Sequence, residues 1–312
     1  MSISHEEAVE FVRDKLGIDD VHNLDLILLN KIVRALLSEV PFQNIFLYNT
    51  PPERRFPTIE EVIRFGLTLH GGVCIHNNWF AALLLKALGF DVFTIAGMYA
   101  SVWNTADDHA MSVVRGLQDP EDPDCTDTLF LVDVGNGYPT PGAVPLHRIP
   151  YNFPLTAGLE IRYDKIGDRF YRMHRAGDPV KDPSSQQLGD GWVGKFSFIL
   201  QPKDPNSVKS TLINTFRIDP PSFFMNFMRI FRWPKDKEFV VAFRGQQLLF
   251  FGSENSSDEG KEKQSQSTLI EFEKLEENIL KYFPTLDPVE LHEAMPAIIR
   301  NMKQEPEKAL SL

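Results

Sequence analysis

The segment His70-Gly71-Gly72-Val73-Cys74-Ile75-His76-Asn77-Asn78-Trp79 sets a cysteine straight after a Gly-Gly turn and at the head of an apolar run. Two glycines let the backbone bend tightly and keep the space around a sulfur open. The run from Trp79 to Leu88 is apolar almost throughout and is stopped by Gly89, so it predicts a largely buried helix. Such a helix has to be covered by other elements, which commits the chain to a layered core. Cys74 then stands near the positive end of a helix dipole, which favours thiolate over thiol. Taken alone, the same setting suits a small buried thiol that merely caps a helix.

Two downstream segments add to this. Asp107-Asp108-His109-Ala110-Met111-Ser112-Val113-Val114 places a histidine at the start of an apolar strand, and Leu129-Phe130-Leu131-Val132-Asp133-Val134-Gly135 places an aspartate within another. An aspartate in an apolar strand needs a partner, and a histidine on a neighbouring strand is the natural one. Cys74, His109 and Asp133 then supply a nucleophile, a base and an orienter in chain order. Each also has a plainer reading, His109 as a satisfied core histidine and Asp133 as a turn or strand-end residue. His76 lies two positions after Cys74, off its helix face, and is the poorer candidate base.

With these residues in view, the chain resembles the arylamine N-acetyltransferases. Val40-Pro41-Phe42-Gln43-Asn44-Ile45 is similar to that family's Pro-Phe-Glu-Asn-Leu segment, Gly71-Gly72-Val73-Cys74 to its Arg-Gly-Gly-X-Cys turn, and Leu131-Val132-Asp133-Val134-Gly135 to its Val-Asp-Val-Gly strand. More weakly, Asn214-Thr215-Phe216 with Pro221-Ser222-Phe223-Phe224 is similar to its Asn and Pro-X-Ser-X-Phe run. The resemblance implies an α/β (α+β) fold: an N-terminal helical bundle, a central β-barrel-like domain, a C-terminal α/β lid, and a papain-like Cys-His-Asp site. The expected boundaries are residues 1–95, 96–215 and 216–312. It further implies that an acyl-CoA, acetyl by default, acylates Cys74 while His109 moves the proton and Asp133 orients the imidazole. The acyl group then passes to an aromatic amine, hydrazine or hydroxylamine with ping-pong kinetics, in a setting of xenobiotic metabolism. Asn214 and Ser222 are the residues it assigns to the CoA cleft, with no tightly bound cofactor and no metal. A thioester is already activated, so such an enzyme needs a good thiolate and a place for the developing oxyanion more than a strong acid.

Three positions depart from the family pattern. Gln43 stands for the usual Glu and His70 for the usual Arg, two side chains whose pairing braces the nucleophile turn. Losing one of them would strand a buried charge, whereas losing both leaves a neutral hydrogen bond, so the joint replacement reads as a repaired brace. The other reading is drift in a chain that has lost activity. Third, Asn136-Gly137-Tyr138-Pro139 stands where the family carries an aromatic that helps form the acceptor pocket, so either Asn136 replaces that aromatic or the loop is shortened around it, which bears on acceptor choice more than on catalysis.

The 312-residue chain, 43% hydrophobic and 24% charged, is long enough for one large core or several smaller ones. No run approaches the roughly 18 apolar residues of a membrane span, and the first residues lack the basic and apolar regions of a signal peptide. Two cysteines, one at a helix start and Cys125 in an acidic, proline-rich loop, do not make a disulfide scaffold, so a reducing cytoplasm is the expected home. A net charge of −11 argues against nucleic acid as a partner. A CoA enzyme this acidic must gather cations locally, with Lys195, Lys209, Arg217 and Arg229 as candidates.

The chain reads as helix-rich, then strand-rich, then mixed. Ser4 with Glu7 caps a first helix, a second runs from about Leu24 to Ser38, and Thr58 with Glu61 caps a third. Strands are predicted near 92–95, 109–114, 128–134, 159–163, 169–174 and 195–200. Residues 177–187 read as a surface loop and 252–267 as a linker, with a hairpin between them around Arg244-Gly245. Helices follow over 269–283 and 289–302, the second interrupted at Pro296. The aromatic cluster Phe216, Phe223, Phe224, Phe227, Phe231 and Trp233 reads mainly as core. Two other classes stay open at this point: a cysteine hydrolase or transglutaminase-like enzyme with the same residue order, and a folded relic that only binds ligands.

Overall fold

A computed structural model describes residues 2–99, 107–138, 140–154, 158–175, 186–235, 237–252 and 266–304. Local signals set the first helices. Ser4 and Glu7 form the reciprocal box that opens α1 (His5–Asp14), and Asp25 accepts from the Leu28 N–H at the head of α2 (Leu26–Glu39). After the short β1 (Phe42–Gln43) and α3 (Phe46–Asn49), Thr58 and Glu61 form a second box at α4 (Ile59–Leu67). The apolar run becomes α5 (Cys74–Leu88), ended by Gly89 in the left-handed region at φ 109°.

A nine-stranded sheet follows, barrel-like and antiparallel throughout. Its strands are β2 (Asp91–Tyr99), β3 (His109–Arg115), β4 (Leu129–Val132), β5 (Val144–Pro145), β6 (Tyr151–Asn152), β7 (Ile161–Ile166), β8 (Arg169–Arg175), β9 (Gln186–Gly189) and β10 (Trp192–Phe198). The spatial order is β5-β4-β3-β2-β10-β8-β7-β6, with β9 paired to β10. After α6 (Lys209–Thr215), a second sheet takes β11 (Arg229–Arg232), β12 (Val240–Arg244), β13 (Gln247–Phe251) and β14 (Gln266–Leu269). Its first strand is β1, where Phe42 pairs with Phe231 and Gln43 with Ile230. Helices α7 (Phe272–Tyr282) and α8 (Pro288–Gln304) close the described chain. The α/β class expected from the sequence is thus the one observed, with helices first, a barrel-like sheet in the middle, and a smaller sheet flanked by helices at the end.

Helix α5 explains why its sequence lacks a polar face. It packs on α1 and α4 along one side and on β2 and β3 along the other. The alternation of β3 divides the core in two: Ala110 and Val114 join the large cluster around α5, whereas Met111 and Val113 fill the barrel with Leu131, Phe196 and Phe198. His109 and Asp133 continue the odd-numbered, barrel-facing rows of β3 and β4.

Several local expectations shift. Leu269 belongs to β14 instead of the helix that follows. Helix α8 runs through Pro296 without a break, because its buried face of Leu291, Ala294, Met295 and Ile298 outweighs one missing backbone hydrogen bond. The greater parts of the expected loop at 177–187 and linker at 252–267 lie outside the described residues. Among the described residues, no helix is long and apolar enough to cross a membrane.

Candidate active site

The nucleophile turn is held by backbone contacts that only glycine allows. Gly71 has φ +72°, and a Cβ there would lie 2.0 Å from the Pro41 carbonyl oxygen. The Gly72 N–H donates to that same oxygen at 3.2 Å, and the Gln43 N–H donates to Gly72 O at 2.9 Å. Asn44 continues the stitching: its N–H donates to Arg229 O at 3.2 Å, and its Oδ1 accepts from the Arg229 N–H at 2.8 Å. The Pro-Phe-Gln-Asn segment therefore ties the cysteine turn to the C-terminal sheet. Cys74 is the first residue of α5 and is buried.

His109 and Asp133 meet as the strand pattern implied. The ring donates from Nε2 to Asp133 Oδ2 at 3.0 Å, and both side chains are essentially closed to solvent. Among the described residues, Nδ1 has no hydrogen-bond partner. Cys74 lies beside this pair: a Cβ on Gly135, two residues after Asp133, would come within 2.8 Å of Cys74 Cα, and Cys74 is among the groups that raise the pKa of the ring. Burial works against charge on His109, but the carboxylate of Asp133, with a smaller contribution from Cys74, overcomes it and raises the pKa. Burial likewise works against charge on Asp133, but His109, then Asn136 and Arg172, hold it below its ordinary value. The pair is thus poised as imidazolium and carboxylate.

Two asparagines that sequence reasoning did not single out as site residues complete the setting. Asn78, fully buried and one turn beyond Cys74, donates to Ala110 O at 2.6 Å and to Asp133 Oδ1 at 2.9 Å. Its own oxygen accepts from the Val134 N–H at 2.7 Å and the Gly135 N–H at 3.1 Å. One side chain thereby joins α5, β3 and the loop that carries the aspartate. The only sequence signal was its i+4 spacing from Cys74, which puts both on one helix face. Asn136, noted as a departure from an aromatic, donates to Asp133 Oδ2 at 2.9 Å and accepts from the Tyr99 hydroxyl at 3.0 Å. Gly135 lets this loop approach α5, since a Cβ there would come within 2.8 Å of both Cys74 Cα and Asn78 Nδ2.

His76 faces away from this group. Its ring stacks on Phe65 at 5.2 Å and meets Phe46 edge-on at 4.8 Å. Burial, with a small contribution from His70, pushes its pKa down to about 3, so it remains a neutral ring. Gln43 and His70 do approach: Gln43 Oε1 accepts from the Ile45 N–H at 2.7 Å, which turns its Nε2 toward His70 Nδ1 at 3.3 Å.

Asn214 lies on α6 and Ser222 in the segment after it. Asn214 donates to Ser210 O within its own helix, and the buried Ser222 hydroxyl donates to Thr215 O. Of the candidate cations, Lys195 lies 4.9 Å over the Tyr138 ring, Lys209 5.6 Å over Phe56, and Arg217 donates to Pro220 O. Arg229 lies 4.1 Å over Phe227 and donates to Phe224 O; burial and the neighbouring Arg244 push its pKa down to about 10. Phe216, Phe227, Phe231 and Trp233 are buried in the main core. Cys125 comes together with Asp122 and His147, but both nitrogens of that imidazole are engaged, Nε2 with Asp119 at 2.9 Å and Nδ1 with the Leu129 backbone. The cluster reads as a pinned turn.

A family model described as N-acetyltransferase matches residues 25–283. Among solved structures, the M. smegmatis arylamine N-acetyltransferase is 18% identical with a TM-score of 0.71, covering 94% of this chain and 97% of that one. The Nocardia farcinica arylamine N-acetyltransferase is 19% identical with a TM-score of 0.69, covering 94% and 95%. The Mycobacterium marinum enzyme, solved in complex with CoA, is 17% identical with a TM-score of 0.70, covering 93% and 99%. At these identities the likeness is one of fold. No curated protein matches by sequence.

Proposed function

Since the chain belongs to the arylamine N-acetyltransferase family, we propose that it carries an acyl group, acetyl by default, from acyl-CoA through a Cys74 thioester to aromatic amines, hydrazines or hydroxylamines. One observation carries the reading: His109 spends Nε2 on Asp133, which leaves Nδ1 for Cys74. An imidazole anchored by a carboxylate at one nitrogen is oriented, and its charged form is stabilised, for proton transfer at the other.

The chemistry runs in two halves. His109 holds at Nδ1 the proton drawn from Cys74, and the Cys74 sulfur attacks the thioester carbonyl. The carbon–sulfur bond to CoA then breaks, and His109 returns the proton to the departing CoA sulfur. Next the amine attacks the acyl-cysteine carbonyl and its surplus proton goes to His109. The bond to the Cys74 sulfur breaks, releasing the amide and restoring the starting pair, with the proton on His109 beside the Cys74 sulfur. The N–H groups of Cys74 and Ile75 at the head of α5 are the natural donors to the oxyanion that forms in each half, those of His76 and Asn77 being bonded to Val73 O.

The CoA complex of the M. marinum relative supports acyl-CoA as the co-substrate. By resemblance, Asn214 and Ser222 are assigned to its cleft, in an enzyme without a tightly bound cofactor. Both cysteines are free, in keeping with a cytoplasmic enzyme, and xenobiotic amines suit the acceptor class. The test is intact-mass measurement after incubation with acetyl-, propionyl- and malonyl-CoA. One acyl unit is expected on the parent and on Cys125→Ser, and none on Cys74→Ser. Normal turnover by Cys74→Ser would overturn the mechanism. Asn214→Ala and Ser222→Ala are expected to raise KM for acyl-CoA; an unchanged KM removes them from the cleft.

A further inference from the structure

The brace beneath the nucleophile turn contains a third side chain, from the far end of the chain. Glu290, in the first turn of α8, sets Oε2 2.6 Å from His70 Nε2, and both side chains are largely shielded, at 27% and 14% exposure. On the other side of the ring, His70 Nδ1 lies 3.3 Å from Gln43 Nε2 and 3.0 Å from the carbonyl oxygen of Gly71. One imidazole therefore connects a carboxylate of the C-terminal helix to the main chain of the turn that presents Cys74. The ring is further gripped by Phe65, 4.1 Å away between centroids, so it has little freedom to follow a partner that moves.

The docking of α8 does not depend on that carboxylate. Asn49 on α3 donates to Glu290 O at 2.8 Å, and Leu291, Ala294, Met295 and Ile298 bury the apolar face of the helix. The side chain of Glu290 is thus left for another task. A hydrogen bond from an imidazole N–H to a carboxylate is shorter and stronger than one between neutral groups, and it fixes the ring plane. Gln43 cannot do this, because its amide oxygen is already spent on the Ile45 N–H.

We propose that Glu290 is a positioning residue for Cys74: its carboxylate holds His70, and through His70 the Gly71-Gly72 turn, supplying from α8 the negative charge that position 43 lacks. The proposal rests on Cys74 being the nucleophile. Gln43 and His70 then form no complete brace by themselves, since the pair extends to a residue 220 positions away in sequence.

The test uses the full chain carrying Cys125→Ser, so that iodoacetamide reports on a single thiol. Glu290→Gln is expected to slow Cys74 alkylation on the order of 3- to 10-fold, with little change in the thermal melt. In a Gln43→Glu/His70→Arg background, which supplies a local ion pair, the same substitution should change the rate by less than about twofold. Asn49→Ala, which removes the neighbouring link without touching the carboxylate, should also stay within about twofold of its parent. If Glu290→Gln misfolds, Glu290→Met, of similar length and helix preference, is read in its place with the same expectation. The proposal is overturned by an unchanged alkylation rate, by an equal fall in the ion-pair background, or by Asn49→Ala slowing the reaction as much. Alkylation needs no acyl donor, so a chain that accepts no acyl-CoA yet gives this pattern would refute the proposed function and leave the role of Glu290 standing.

Discussion

Replacing Asn78 by aspartate keeps the shape of the side chain and reverses half of its hydrogen bonding. The new carboxylate still accepts from the Val134 and Gly135 N–H groups, but the donations to Ala110 O and to Asp133 Oδ1, at 2.6 and 2.9 Å, are lost. A second negative charge would then face Asp133 in a buried site, and two carboxylates so close do not both ionise. Keeping a proton between them is the cheaper state. An acid with an unfolded pKa of about 3.9 that must stay protonated in the fold at pH 7 costs about 4 kcal/mol, at ~1.36 kcal/mol per pH unit. That figure is a ceiling for the charge contribution, because protonation relieves any larger repulsion. The folded variant binds one more proton than the unfolded chain, so its stability falls as pH rises. The gap from the parent should therefore widen by ~1.4 kcal/mol per unit between about pH 5 and pH 7, above a pH-independent loss of about 1 to 3 kcal/mol at Ala110 O. Urea melts of parent and Asn78→Asp at pH 5, 6 and 7 measure the gap directly. A gap that does not change with pH would mean that Asn78 and Asp133 do not face each other, and the site geometry would have to be redrawn.

Asp133→Asn should lower the rate of Cys74 acylation by roughly 10² or more, since the imidazole loses its orienter and the charge that stabilises its protonated form. In the parent, the raised pKa of His109 contributes stability that is complete below about pH 6.5 and lost as pH rises through the folded value; urea melts across that range should find this contribution missing in the variant. His76→Phe keeps a ring against Phe46 and Phe65. It should leave alkylation of Cys74 unchanged and reduce the loss of stability between about pH 6.5 and 3, because the parent's unfolded state takes up a proton there that the buried ring refuses; a fall in alkylation would give His76 a part in the reaction. Gly135→Ala forces a methyl within 2.8 Å of Cys74 Cα and should cost about 1 to 3 kcal/mol in denaturant melts while slowing alkylation; a neutral result would show that the loop has room to yield.

The sequence by itself determined the parts whose causes are local. The capping boxes at Ser4 and Thr58, the glycine stop at Gly89 and the apolar run that follows His109 each act within a few residues, and the elements they predict are the ones observed, to within a few positions. Tertiary structure decided the rest. Pro296 reads locally as a helix breaker, yet α8 passes through it because the face it buries lies against elements far away in sequence. Asn136 is a loop residue until Tyr99 and Asp133 close around it, and Asn78 is one polar residue in an apolar helix until three elements meet at its side chain. His70 and Gln43 together suggested a neutral brace; that a carboxylate reaches the same ring from Glu290 depends on where α8 docks, which no short-range rule encodes. Propensity and periodicity act over one turn or one strand, whereas the partner of a buried polar group is chosen by packing across the whole core.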